Sequence, residues 1–267
     1  MTTDPLVSAV HARTPLSGVD VIDAHAHLGP YSLFFTPDPS ADAMVRVMDR
    51  CGVRRTILSA TMAIELDARR GNEQTAEATE RHPGRLCGYV VVNPHQDPAA
   101  ELSRWATHPG MVGLKLHPSL HHYPVTGPRY ADAWAYAEET GRPVLVHTWT
   151  GSDVDDPEQV AEVARRYPKA KVLLGHSGAR PDGFARAIEL AATHPNLYLE
   201  ICGSHFTGRW LTRMVAALGA HRVIYGSDFP FIDLRYSIGR VVFAELDLAD
   251  RATVLGGAIR TLLEEKS

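Results

Sequence analysis

Several things are scarce in this chain. Only three of its 267 residues are cysteine. Cys51, Cys87 and Cys202 are too widely spaced to read as a disulfide framework or a zinc knuckle. Cys87 and Cys202 sit in largely apolar runs and Cys51 closes an expected helix, so all three read as free thiols of a reducing compartment. An excess of charge of one sign is missing too. With 27 Lys and Arg against 31 Asp and Glu, the formal net charge is −4, which gives no electrostatic case for nucleic acid or an anionic membrane. No apolar run approaches the ~18 residues of a membrane span, and residues 1–18 lack the apolar centre of a signal peptide. The expectation is a soluble, cytoplasmic protein acting on a small molecule, with neither nucleic acid nor membrane as partner. Assembly into a homo-oligomer stays open.

Hydrophobic residues make up 45% and charged residues 22%, the balance of a globular protein with a true core. After a loose lead-in over 1–18, eight short apolar segments alternate with helical patterns. The strands are expected at 20–27, 55–59, 86–92, 112–117, 143–148, 171–176, 197–202 and 222–227. Ser40, Asp97 before Pro98 and Asp156 before Pro157 are placed to cap helices. Eight β/α repeats with no composition shift predict a single-domain (β/α)8 barrel over 1–267.

Polar residues collect where these strands end. Val21-Ile22-Asp23-Ala24-His25-Ala26-His27 closes the first strand, and simple alternation would put Asp23, His25 and His27 on one face. Lys115 and His117 end the fourth strand, His147 the fifth, His176 the sixth, Glu200 the seventh and Asp228 the eighth. The C-terminal strand ends are where such barrels carry their active sites. Neutral imidazoles with a carboxylate suit a divalent transition metal, which lowers the pKa of bound water toward ~7. No thiol is expected at a ligand position.

The ordered segments VIDAHAH, GNEQTAEATERHPGRLCGYVVVNP, GLKLHP, RPVLVHTW, VLLGHSG and VIYGSDFP resemble the amidohydrolase superfamily, in particular its amidohydrolase-related branch. The resemblance spans about residues 20–260. It implies one metal per chain, zinc first among the choices, held by His25, His27, His147 and Asp228. It also implies catalytic roles for His176 and Asp228. Lys115 matches a lysine that some members carboxylate to bridge two metals, but an ordinary ammonium is expected here. Lys115, His117, Trp149 and Glu200 are the candidate substrate contacts, with Arg235 a further candidate for meeting a negative charge. The chain departs from the pattern at Ala258, where Asn is common, and at Trp149, whose bulk would narrow a pocket.

The branch contains hydrolases, lactonases, a hydratase and non-oxidative decarboxylases. The expected reaction is hydrolysis, with metal-activated water attacking an amide or lactone bond, Asp228 moving the proton and His176 polarising the carbonyl. The alternative is non-oxidative decarboxylation of a small carboxylic acid on the same site. A third reading, a non-catalytic binding barrel, is opposed by the full ligand set.

Overall fold

The computed structural model describes residues 4–264. Eight parallel strands run in the order of the chain: β1 (Val21–Leu28), β2 (Val53–Ala60), β3 (Leu86–Val91), β4 (Met111–Leu116), β5 (Val144–His147), β6 (Val172–Gly175), β7 (Leu197–Glu200) and β8 (Val223–Ile224). Main-chain bonds then join β8 to β1: Ala24 N–H donates to Tyr225 O at 3.0 Å, Asp228 N–H to His25 O at 2.8 Å and His27 N–H to Phe229 O at 2.7 Å. The chain is a single-domain (β/α)8 barrel, as its alternating pattern predicts. Among the described residues no helix is long and apolar enough to cross a membrane.

The expected caps form. Ser40 Oγ accepts from Ala43 N, Asp97 from Ala100 N and Asp156 from Glu158 N, with Pro98 and Pro157 in first-turn positions. The lead-in differs from expectation, because Pro5–Ala12 is a helix. Asp4 caps it, Pro5 sits in the first turn where its missing N–H costs nothing, and Leu6 is fully buried. Pro5 is a helix starter.

Apolar residues form two layers. The larger lies between the strands and their helices and contains Leu58, Val90, Leu114, Val146, Leu174 and Leu199. The smaller fills the lower barrel interior with Ile22, Ile57, Tyr89, Leu145, Leu173 and Ile224, closed below by Ala258, Ile259 and Leu262. Ala258 therefore packs in the floor rather than near the strand ends.

Candidate active site

Interior-facing positions change character along each strand. β5 carries Leu145 in the floor and His147 two residues on, and the chain leaving β8 runs from Ile224 through Gly226 to Asp228. Above the apolar floor, His25, His27, Lys115, His147, His176 and Asp228 line one pocket of about 280 Å³. Strand alternation alone does not deliver β1, whose pairing with β2 shifts register between Asp23 and Ala26. Asp23 does not line the pocket. Its Oδ1 accepts from His25 N at 3.1 Å and Ser227 N at 2.9 Å, and its Oδ2 from Ser227 Oγ at 2.5 Å, so it ties β1 to the turn carrying Asp228. Burial pushes its carboxyl up to about 7.

The pocket side of the histidines converges on Asp228. Its Oδ1 is 3.2 Å from His27 Nε2 and 3.8 Å from His25 Nε2. Burial by itself would raise the Asp228 pKa, but contact with His27 and the nearby His176 and His25 rings outweigh it and hold the carboxyl far below the usual range. His25 and His27 are themselves depressed, mainly by burial. His176 is pushed down to about 3 by burial, so its ring is neutral at physiological pH. Asp228 and His176 both have left-handed backbones, with φ of 65° and 64°. For non-glycine residues that costs on the order of 1–3 kcal/mol each, a cost that collects at functional sites.

Glu200 lies beneath His25 rather than in the pocket wall. It is fully buried, and its Oε2 accepts from His25 Nδ1 at 2.9 Å and from His176 N at 3.1 Å. Gly226 makes room for it, since a Cβ there would come within 2.1 Å of Glu200 Oε1. As an acceptor on Nδ1, Glu200 leaves the His25 Nε2 lone pair facing the pocket. Its placement is that of an orienting group, not of a substrate contact.

Cys202 also packs against the site histidines. Its Sγ lies 3.1 Å from His25 Nδ1, 3.0 Å from His176 Nδ1 and 3.0 Å from Glu200 Oε2. His25, His176, Cys202 and Asp228 form a donor cluster, with donor atoms within 4.8 Å of one another. Relative to the expected quartet it contains His176 and Cys202 in place of His27 and His147. The thiol touches the Nδ1 edge of His25, which Glu200 already occupies, and burial raises its pKa well above the ordinary value. The donor set on the pocket side, imidazoles with one carboxylate, fits a divalent metal through the Nε2 edge.

The remaining expected residues divide. Lys115 is fully buried with Nζ 3.0 Å from His25 Nε2, and burial lowers its pKa. His117 stacks on His147 at 4.1 Å and 16°, and Trp149 lies parallel to His147 at 6.2 Å and 3°. All three line the pocket. Arg235 does not. It is an exposed partner of Asp233 beside a different cavity. Phe34 lines the pocket, and His121 is buried with Nδ1 2.8 Å from Tyr130 OH.

Phe231, Tyr31 and Asp155 belong to the site without ending any strand. Phe231 stacks on His27 at 4.9 Å and meets Tyr31 at 4.7 Å, so two sets of rings line one small pocket. Asp155 Oδ2 is 2.9 Å from His147 Nδ1. Burial raises the Asp155 pKa, but bonds from His147 and Ser119 prevail and lower it overall.

The amidohydrolase family model matches residues 22–264, nearly the whole barrel. The chain belongs to the amidohydrolase family. It is an enzyme of that family. It is 23% identical over 279 residues to gamma-resorcylate decarboxylase of Rhodococcus jostii (strain RHA1), covering 80% of this chain and 84% of that protein. A decarboxylase of the same name from Polaromonas sp. (strain JS666 / ATCC BAA-500) is 24% identical over 84% of this chain and 87% of its own. Among solved structures, the dihydroxybenzoic acid decarboxylase of Polaromonas sp. JS666 with bound manganese and 2-nitroresorcinol superposes with a TM-score of 0.71. It is 20% identical, over 92% of this chain and 97% of that one.

These relatives overturn the expectation of hydrolysis, because they are decarboxylases and not amide or lactone hydrolases. The strand-end motifs misled because one Lewis acid can activate water or anchor a substrate oxygen, so the same ligands serve both reactions.

Proposed function

We propose that this enzyme is a metal-dependent, non-oxidative decarboxylase of a small single-ring aromatic carboxylic acid. The observation that carries the reading is the pocket itself. It is about 280 Å³, walled by the Tyr31–Phe231–His27 rings and by the His117–His147–Trp149 rings, with Lys115 and Asp228 facing it. Such walls suit a flat ring. The names of the relatives point the same way.

His25, His27, His147 and Asp228 would hold the metal, which when bound would anchor a substrate oxygen and withdraw electron density. Zinc and manganese both suit these ligands, and manganese is the metal named for the Polaromonas structure. Lys115 complements the negative charge of the acid. Asp228 is held ionised. It therefore first accepts a proton, from a ring hydroxyl or from water, and delivers it to the carbon bearing the carboxylate. The carbon–carboxylate bond then breaks, its electron pair returns to the ring and CO₂ departs. His176, neutral and buried, hydrogen-bonds the reacting acid rather than supplying the proton.

The test is incubation of the metal-loaded enzyme with a panel of hydroxybenzoates in D₂O. Release of CO₂ with one deuterium on the ring supports the reading. No CO₂ from any ring acid, together with turnover of a lactone or amide, sinks it.

A further inference from the structure

The segment after β5, residues 148–156, leaves the site and returns to it. Trp149 N–H donates to the Asp155 main-chain oxygen at 3.2 Å, closing the excursion. The returning carboxylate is fully buried. Its Oδ2 accepts from His147 Nδ1 at 2.9 Å, from Ser119 Oγ at 2.5 Å and from Ser119 N at 3.2 Å, while Oδ1 has no hydrogen-bond partner. Among the described residues its only ion-pair contact is His147. An ionised carboxylate can only accept, so the shared proton belongs to His147 Nδ1. His117 stacks flat on the His147 ring and fixes its plane. Stacking cannot choose between the two tautomers, because both have the same shape. Asp155 can.

We propose that Asp155 is a positioning residue: it selects the Nδ1–H tautomer of His147, turns the Nε2 lone pair toward the pocket and thereby sets metal affinity. The proposal rests on the reading of His147 as a metal ligand. Carboxylates that orient ligating histidines typically account for about 10- to 100-fold in affinity. Asp155 reaches its histidine through a loop of the same strand, whereas Glu200 reaches His25 from another strand.

The experiment uses the full chain and measures Zn²⁺ and Mn²⁺ affinity by competition with a chromogenic chelator. Asp155→Asn should weaken binding about 10- to 100-fold, and Asp155→Glu should restore part of it. His147→Ala should weaken binding at least as much. Adding Asp155→Asn to His147→Ala should change nothing further, because the residue acts through that ring. Asp155→Asn at wild-type affinity beside a weakened His147→Ala overturns the positioning role alone. His147→Ala at wild-type affinity overturns the ligand reading and the proposal together. An equal loss from Asp155→Asn in both backgrounds would mean a merely structural role and also overturns it. Nitrogen-15 spectra of the metal-free wild type need no variant: the His147 Nδ1–H form supports the proposal, and the Nε2–H form refutes it.

Discussion

The barrel interior has two storeys built to opposite rules. The lower one, with Ile57, Tyr89, Leu145, Leu173 and Ile224, is apolar and closed off. The upper one begins two to four residues further along the same strands and buries histidines, Lys115 and Glu200. Ionisable groups are costly to bury and left-handed residues are costly to hold. The lower storey and the outer apolar layer supply the stability that lets the upper one stay strained. One storey is therefore expected to carry stability and the other activity.

Asp228→Asn should give the largest effect. Turnover of the best hydroxybenzoate should fall by about 10²- to 10⁴-fold, the range for loss of a proton-transferring group, with little change in the denaturation midpoint. A variant that instead unfolds easily would break the division of labour. Leu145→Ala is the mirror test. Removing this fully buried side chain should cost about 2–5 kcal/mol by denaturant unfolding, while kcat of the folded fraction stays near wild type.

Lys115→Met sharpens the comparison, because it exchanges a fully buried cation for an apolar chain of similar length. Stability of the metal-free protein should hold or rise by about 1–2 kcal/mol, with KM for the acid raised. A clear loss of stability would place Lys115 among the structural residues. The smallest effect belongs to the lower rim, where Asp20 bonds Arg54 and Arg260. The hydrogen bond from Arg54 lowers the Asp20 pKa despite partial burial. Its stabilisation is thus present above the ordinary carboxyl pKa and lost as pH falls through the lowered folded value. Asp20→Asn should remove under about 1 kcal/mol near neutral pH and leave a flatter acid limb, as measured by unfolding midpoints between pH 3 and 7.

The fold was legible because each strand is a short apolar run closed by Gly, Pro or a polar strand end. His25, His27, Lys115, His147 and Asp228 were legible for the same reason, as polar residues interrupting apolar runs at corresponding places. Cys202 escaped because a thiol inside an apolar run does not break the pattern. Asp155 escaped because its loop is rich in aspartates that look alike in sequence, and only the return of the chain separates the buried one from the helix cap beside it. The 5–12 helix escaped because proline stops a helix in its interior but starts one in its first turn. The reaction was not legible, since identical ligands support water attack and decarboxylation.

The seam where β8 meets β1 is also where Asp228 meets His25 and His27, and Asp23 bonds Ser227 across 204 positions of chain. On a ribosome, the two histidines are made long before the carboxylate. With the proposed ligands, a metal ion met early would find two imidazoles on an unclosed sheet, a weak and exchangeable site. Tight capture would wait for the last strand. The ion bound at the end should therefore be set by the folded barrel and the metals around it at release, not by whichever ion the emerging chain meets first.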